Sequence, residues 1–259
     1  MKKNIVKDAL SNNLQTYGSW VTLAHPLIPE IMSAAGFDWL CIDMEHSSIE
    51  LRDILPLIIS IENNGMVPLV RVGENNGNLI KRVMDAGAYG VIVPNVNSAA
   101  EAIAAVNAVK YPPVGTRGVG LYRAQGYGKT FNEYLEWLEK ESIVIIQIEH
   151  IDAVKKIDDI FSIPGVDGFI IGPYDLSGSL GKPGAFNDKD VINAIEIVLE
   201  SGKKHGITAG FHSVSSDPSE AQLYQKKGFK LLGFSLDSIF LSDAVISAVQ
   251  KLKNDVKDI

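Results

Sequence analysis

Several features that mark specialised classes of protein are missing from this sequence. Cys41 is the only cysteine, so no intrachain disulfide can form, and its apolar neighbours indicate a buried side chain. No run of about 18 apolar residues is present, so we predict no membrane-spanning helix. The N-terminal segment is basic but has no apolar core. We therefore predict no signal peptide and a cytoplasmic location.

Basic residues are also fewer than acidic ones. The chain has 24 Lys and Arg against 31 Asp and Glu, which gives a formal net charge of −7, and no Lys/Arg run occurs. We therefore expect no nucleic-acid or anionic-membrane partner. Hydrophobic residues make up 46% of the 259 residues and charged residues 21%, which is typical of a globular protein.

Eight times along the chain, an apolar run of strand type precedes a segment of helical periodicity. The predicted strands are Tyr17–Leu23, Trp39–Asp43, Val67–Val72, Gly90–Pro94, Ile143–Glu149, Gly168–Ile171, Ile207–Phe211 and Leu231–Leu236. The predicted helices after them are Leu27–Ala35, Ile49–Asn63, Asn78–Ala86, Ser98–Val109, Asp152–Phe161, Asp188–His205, Pro218–Lys227 and Ser238–Lys253. A long Gly- and Arg-containing segment and an extra helix, Thr130–Lys140, interrupt the rhythm before the fifth strand.

This count predicts a single (β/α)₈ TIM barrel over residues 1–259, because no linker or change of composition divides the chain. A doubly wound open sheet is the alternative, although no GxGxxG motif follows the first strand. In a barrel the active site lies at the carboxyl ends of the strands, which is where polar residues gather in this sequence.

Two of those polar residues are carboxylates that follow consecutive parallel strands. Glu149 ends the fifth strand and Asp175 follows the sixth, so both emerge at one edge of the sheet. Carboxylate oxygens are hard ligands, suited to Mg²⁺ or Mn²⁺. The alternative is an exposed loop Glu and a helix N-cap Asp. No lysine stands at a strand end, which argues against a Schiff base.

A metal at this edge fits a 2-oxo acid as substrate. Such an acid chelates through its carboxylate and ketone oxygens, and the cation then stabilises the enolate. Arg71 could hold the ketone oxygen as charge develops, and His46 could move the proton. Glu45 is left out of the metal site, because an alternating strand would point its side chain away from His46.

Six motifs at this spacing resemble those of the HpcH/HpaI aldolases, which are metal-dependent class II pyruvate aldolases. They are IDMEH, PLVR, MDAGAYGVIVPNV, YPPVGTRGVG, QIEH and GPYDLS, and the resemblance covers roughly residues 18–240. It implies the following roles: His46 as base, Arg71 as oxyanion stabiliser, Asp85 as the acid that raises the basicity of the histidine, Gln147 for substrate, Glu149 and Asp175 for metal, and the backbone of Gly172, Pro173, Tyr174 and Asp175 for the pyruvate carboxylate.

The same resemblance implies an activity, a cofactor and an assembly. We expect reversible cleavage of a 4-hydroxy-2-oxo acid to pyruvate and an aldehyde through an enolate, with Mg²⁺ or Mn²⁺, and Co²⁺ as a further option. It also implies a hexamer, in which the C-terminal helix of about residues 238–253 packs on a neighbouring barrel. The alternatives are an acyl-CoA carbon–carbon lyase of the citrate-lyase-like branch and a catalytically silent binding subunit.

Two departures from the family pattern concern the specificity of the site. Tyr174 stands where many relatives have a small residue, and His212 adds a titratable side chain after the seventh strand. Arg117, in the Gly-rich segment, is either a surface charge or a group that binds an acidic substrate or a neighbouring subunit.

Overall fold

Eight parallel strands form a closed barrel, so the predicted fold is confirmed and the open-sheet alternative is wrong. The computed structural model describes residues 2–255. Closure comes from the pairing of the first strand with the eighth, in which Thr16 is in register with Leu231. The strands are β1 (Thr16–Val21), β2 (Trp39–Asp43), β3 (Val67–Arg71), β4 (Gly90–Val93), β5 (Ile143–Ile148), β6 (Gly168–Ile171), β7 (Thr208–Ser213) and β8 (Leu231–Leu236).

The helices lie where the periodicity predicts them, with small shifts at their ends and two additions. The helices α1 and α9 were not predicted, and the predicted helix Asp152–Phe161 is divided in two at Lys156. The helices are α1 (Ile5–Ser11), α2 (Leu27–Ser33), α3 (Leu51–Asn63), α4 (Gly77–Ala86), α5 (Ala99–Val109), α6 (Phe131–Glu141), α7 (Ile151–Lys155), α8 (Ile157–Phe161), α9 (Pro173–Ser179), α10 (Lys189–His205), α11 (Ser219–Lys226) and α12 (Asp237–Asp255).

The core is built from strands that are apolar on both faces, because one face meets the barrel interior and the other meets the helices. Every residue of β2, β3, β4, β5 and β6 is buried. Large aromatic side chains fit into this interior only where a neighbouring residue has no side chain. A Cβ atom on Gly18 would lie 2.0 Å from the Trp39 ring, so only glycine allows the ring its position.

Helix α1 lies across the amino-terminal ends of β5, β6 and β7. Asn4 donates a hydrogen bond of 2.8 Å to the carbonyl of Glu141, just before β5. Lys7 forms an ion pair with Asp167, just before β6. Thr208, at the start of β7, donates a 2.9 Å hydrogen bond to the carbonyl of Leu10. This helix therefore covers the end of the barrel opposite the predicted active site.

Helix α12 differs from the other helices because its apolar side chains lie in solvent. After its first turn it has five exposed large apolar residues: Leu241, Val245, Ile246, Val249 and Leu252. Its start is fixed to the barrel, where Phe240 packs edge-on against Phe234 at 5.3 Å between ring centroids and Asp243 accepts a hydrogen bond from Ser216. Across the described residues, no helix combines the length and apolarity that a membrane span requires.

Candidate active site

A cavity of about 480 Å³ opens at the carboxyl-terminal edge of the barrel. Seven of the predicted site residues line it: His46, Arg71, Gln147, Gly172, Pro173, Tyr174 and Asp175. Glu149 lies directly beside this wall, because its Oε2 atom accepts a hydrogen bond from Gln147. Asp85 is the one predicted residue that lies elsewhere.

Arg71, at the end of β3, is fixed by Asp43 at the end of β2. Its Nε donates to Asp43 Oδ1 at 2.9 Å and its Nη2 donates to Oδ2 at 2.7 Å. Burial alone would raise the pKa of Asp43, but the hydrogen bonds and charge of Arg71 lower it overall. These two bonds use two of the five N–H groups of the guanidinium, and Nη1 lies 3.2 Å from Glu45 Oε2, so only part of the donor set is left for a ligand.

Glu45 turns into the site, so the expectation that it points away from His46 is wrong. The strand ends at Asp43, whose Oδ1 accepts a 3.0 Å hydrogen bond from the backbone N–H of Glu45. This is the short Asp-centred turn that ends regular strand geometry. As a result Glu45 Oε2 lies 3.6 Å from His46 Nε2 and 3.2 Å from Arg71 Nη1.

The Glu45 carboxylate is poorly satisfied where it lies. Its Oε2 atom is buried and has no hydrogen-bond partner among residues 2–255. Burial raises its pKa to about 7; the charge of Arg71 opposes that shift, and the negative charges of Glu149, Asp43 and Asp175 add to it. Glu45 is therefore a site residue that the alternation of side chains along a strand does not predict. The signal that could have predicted it is Asp43 at the strand end, because Asp favours a turn there.

His46 lies at the rim of the cavity. Its side chain is 65% exposed, and its backbone N–H donates a 3.3 Å hydrogen bond to Asp43 Oδ1. The exposed ring faces the opening, whereas Arg71 and Gln147 are buried deeper in the wall. A ligand that spans the cavity would therefore meet Arg71 at one end and His46 at the other.

Glu149 is buried and held by two donors. The backbone N–H of Asn95 donates to its Oε1 at 2.7 Å, and Gln147 Nε2 donates to its Oε2. Burial raises the pKa of Glu149 and the charge of Asp175 adds to the shift, while the hydrogen bonds from Gln147 and Asn95 oppose it. A buried carboxylate whose ionisation a neighbouring negative charge disfavours is a group that a cation would stabilise.

The residues present fit a divalent cation at this place. A Cβ atom on Gly172 would lie 2.9 Å from Glu149 Oε2, so glycine here leaves room beside the carboxylate. Within residues 2–255, no group of three or more His, Cys, Asp or Glu side chains forms a complete metal cage. Glu149 and Asp175 would then supply two ligands, which suits an ion such as Mg²⁺ that keeps waters and substrate oxygens.

Tyr174 does not close over the cavity. Its side chain is 61% exposed, and its ring packs edge-on against Phe186 at 4.7 Å between centroids. The tyrosine therefore forms part of the rim next to the opening, and Gly172 rather than Tyr174 adjoins Glu149.

Asp85 is near the end of α4 and bonds to other partners. Its carboxylate accepts hydrogen bonds from Arg117 and, at 3.0 Å, from Gln125. Arg117 is itself buried, and its Nη1 donates at 2.8 Å to the hydroxyl of Tyr134. Arg117 is thus neither a surface charge nor part of the cavity. Within one chain the structure does not bring Asp85 together with His46.

His212 lines the cavity from β7. Its ring stacks on Trp20 of β1, with 4.1 Å between centroids and 11° between the planes. On the neighbouring part of the wall, the Arg71 guanidinium lies over Trp20 at 5.8 Å from the ring centroid. The stack thus places an imidazole within the same apolar wall that supports Arg71.

Comparison with known proteins assigns this barrel to a family. The family model described as HpcH/HpaI aldolase/citrate lyase matches residues 16–244. A 5-keto-4-deoxy-D-glucarate aldolase from Enterobacter sp. is 34% identical over 98% of this chain and 97% of the relative. A hydroxypyruvate/pyruvate aldolase from Paraburkholderia phytofirmans is 33% identical, over 97% of this chain and 98% of the relative. A solved HpcH/HpaI aldolase/citrate lyase family structure from Burkholderia cenocepacia superposes with a TM-score of 0.91 at 33% identity, covering 96% and 99% of the two chains.

The closed barrel, the polar cavity at its carboxyl-terminal edge and these relatives define an enzyme of the aldolase and lyase class that acts on small molecules. The chain belongs to the HpcH/HpaI aldolase/citrate lyase family. The resemblance inferred from its motifs is therefore confirmed.

Proposed function

We propose that this protein is a divalent-metal-dependent aldolase that cleaves a 4-hydroxy-2-oxo acid into pyruvate and an aldehyde, or joins them in reverse. The observation that carries the proposal is that one cavity and the wall directly beside it bring together a fixed guanidinium, a buried amide and carboxylate pair, and an exposed imidazole. Each of these groups has a separate task in forming and discharging an enolate.

The 2-oxo acid half binds in the deep part of the cavity. Arg71 donates to the ketone oxygen, because its unused N–H groups remain after two bonds to Asp43. Gln147 contacts the substrate from the adjacent wall, and the backbone from Gly172 to Asp175 receives the carboxylate. Negative charge that develops on the ketone oxygen is stabilised by a guanidinium already fixed before the reaction.

Glu149 and Asp175 would hold the cation, which would supply positive charge that stabilises the enolate. Mg²⁺ and Mn²⁺ are the preferred candidates because both ligands are carboxylates, and Co²⁺ is a further candidate. Glu149 is positioned for this by the Asn95 N–H and by Gln147.

His46 takes the proton from the C4 hydroxyl during cleavage and returns it during addition. Its place at the rim matches a substrate that extends outward from Arg71, since C4 lies two carbons beyond the ketone. Glu45 Oε2 lies 3.6 Å from His46 Nε2. It stabilises a protonated His46 after the transfer.

Asp85 has a role only through an assembly. Its carboxylate bonds to Arg117 and Gln125 inside the chain, so any action on a histidine would occur across an interface between subunits. The exposed apolar residues of α12 support such an assembly, because a helix that leaves five large apolar side chains in water gains by packing on a neighbouring barrel. We propose a homohexamer with α12 at the interface.

The citrate lyase part of the family description supports a second candidate, carbon–carbon cleavage of an acyl-CoA. That activity requires CoA or its thioester. Adding acetyl-CoA to the assay below distinguishes it, because an aldolase ignores the thioester.

The test is the exchange of pyruvate methyl protons with D₂O, followed by NMR, together with pyruvate release from 4-hydroxy-2-oxo acids. Exchange needs only the oxo acid and no aldehyde, so it does not depend on the identity of the aldehyde. We expect exchange with Mg²⁺ or Mn²⁺ and its loss with chelator. Absence of both exchange and cleavage with every metal would exclude the proposed activity.

Variants connect that activity to the proposed ligands. Glu149→Gln and Asp175→Asn should abolish exchange and weaken metal binding measured directly by calorimetry. Asp152→Asn is the matched control, because Asp152 is an exposed carboxylate on α7, close to the same edge, and pairs with Lys155. If the control and the two ligand variants behave alike, the metal assignment is wrong.

A further inference from the structure

His212 presents a hydrogen-bond acceptor in the wall of the cavity, where its ring stacks on Trp20. Phe211 of β7 is in register with Ile171 of β6. His212 is the next residue on β7, so it lies beside Gly172, the residue that follows β6. On its other side it is in register with Gly233 of β8. The imidazole therefore adjoins the segment proposed to hold the carboxylate of the bound acid.

The identity of the protonated ring nitrogen follows from its partner. His212 Nε2 lies 3.1 Å from the carbonyl oxygen of Ser235, and a carbonyl can only accept, so Nε2 carries the proton. The same oxygen accepts a 3.1 Å hydrogen bond from Ser19 Oγ. Ser235 has a φ of 51°, a left-handed conformation that turns its carbonyl toward both donors.

The other ring nitrogen, Nδ1, is then an acceptor. It has no hydrogen-bond partner in the part of the chain between residues 2 and 255. Burial lowers the pKa of His212 to about 4, and the nearby charge of Arg71 adds to that effect, while the Ser235 hydrogen bond and the charge of Asp43 oppose it. The ring is neutral near pH 7, so the Nδ1 lone pair stays available.

The described residues give Nδ1 no hydrogen-bond donor, which leaves it available to a substrate. Trp20 covers one face of the ring at 4.1 Å, and the cavity residues Ile170 and Leu236 are aliphatic. With the ketone held by Arg71 and the carboxylate by the Gly172 segment, as proposed above, C3 is the part of a three-carbon acid that has no polar partner. A methyl group there would leave the acceptor unpaired, whereas a hydroxyl would donate to it.

We propose that His212 is a specificity-determining residue that favours 2-oxo acid donors with a hydroxyl on C3 over donors with a plain methyl group. This inference depends on the proposed function, since it assigns the donor class of the same site. It predicts that 3-hydroxypyruvate binds and reacts better than pyruvate, and that removing the acceptor lowers this preference.

The experiment compares pyruvate and 3-hydroxypyruvate with the wild type, His212→Leu and His212→Asn. Equilibrium binding with Mg²⁺ is measured by calorimetry, and exchange of the C3 protons with D₂O is measured by NMR. In His212→Leu the hydroxypyruvate-to-pyruvate ratio of binding constants should fall about 3- to 10-fold, the worth of one neutral hydrogen bond. In His212→Asn an amide oxygen near the Nδ1 position should retain much of the ratio.

His205→Leu is the matched control, because His205 lies on α10 and pairs with Asp158 outside the cavity. It should leave the ratio unchanged. If His212→Leu changes binding of both acids by the same factor, or if wild type prefers pyruvate, the inference is overturned. Binding without exchange in the wild type would overturn the aldolase proposal while keeping the inference, and failure of both acids to bind would overturn both.

Discussion

The Trp20 ring of β1 passes directly over Gly233 of β8. A Cβ atom on Gly233 would lie 2.3 Å from Trp20 Cζ3, a distance that no real contact allows. The missing side chain lets Trp20 reach across one strand and stack on His212 of β7. The glycine therefore determines the shape of the cavity wall, although it contributes no atom to the chemistry.

We predict that Gly233→Ala destabilises the fold by about 1–3 kcal/mol, because Trp20 is buried and cannot move aside freely. Urea unfolding measures the change. Gly118→Ala is the control, since no atom lies within 4 Å of its Cβ position. Equal effects of the two substitutions would show that the Trp20 contact carries no special cost.

For Arg71, we predict that Arg71→Lys lowers turnover about 10²- to 10³-fold, the usual cost of losing one oxyanion donor. Lysine keeps the charge but cannot form both hydrogen bonds to Asp43. Arg52→Lys on α3, an exposed arginine, should leave turnover unchanged. A small effect of Arg71→Lys would show that charge alone is sufficient there.

For His46, we predict a loss of about 10²- to 10⁴-fold in cleavage rate on replacement by alanine, the usual range for general-base catalysis. The acid side of the rate–pH profile should flatten in His46→Ala and keep its shape in Arg71→Lys. His25→Ala serves as control, because His25 is an exposed histidine beyond β1. A wild-type acid limb in His46→Ala would exclude His46 as the base.

We predict that Glu45 makes the free energy of unfolding depend on pH in chelator-treated protein. Its pKa rises from 4.5 to about 7 on folding, so the folded chain keeps a proton that the unfolded chain has lost. This contributes stability that is fully present below pH 4.5 and is lost as the pH rises to about 7. Glu45→Gln removes this dependence, so the variant should gain stability relative to wild type between pH 5 and pH 8.

Urea unfolding at several pH values between these limits measures the difference. Glu136→Gln is the control, because Glu136 is an exposed carboxylate on α6 and should produce no such change. A difference between Glu45→Gln and wild type that does not vary with pH would contradict the prediction.

For the assembly, we predict that wild type has about six times the 28.1 kDa mass of one chain. The double variant Val245→Asp with Val249→Asp should form smaller species, because charge on an exposed apolar face opposes its burial at an interface. Gln250→Asp on the same helix is the control. Light scattering that finds only single chains for the wild type would exclude the proposed assembly.

The sequence predicts some parts of this structure better than others. The barrel follows from eight buried apolar runs, each with a helical segment after it, because local periodicity decides both kinds of element. The location of Glu149 and Asp175 at one edge follows from the same pattern. The orientation of Glu45 does not follow from the pattern. The strand ends at Asp43, whose side chain accepts a hydrogen bond from the Glu45 backbone, and this turn breaks the alternation of side chains.

Local sequence patterns do not predict which side chains contact each other across the closed barrel. Trp20 and His212 are far apart in the chain. Their rings meet only because β8 pairs with both β1 and β7, and because Gly233 of β8 has no side chain in the way. The partners of Asp85 illustrate the same limit. A motif assigned it to a histidine, whereas packing around Arg117 and Tyr134 decides which groups it contacts within the chain.

The position of α1 across the amino-terminal ends of β5, β6 and β7 has a kinetic consequence. With that end covered, the cavity beside His46 is the entrance for the reactants of the proposed aldol reaction. In that proposal the oxo acid binds near Arg71, deeper than the aldehyde at the rim, so an aldehyde bound first would block its entry. For the proposed reaction we therefore expect ordered addition, with the oxo acid first to enter and last to leave.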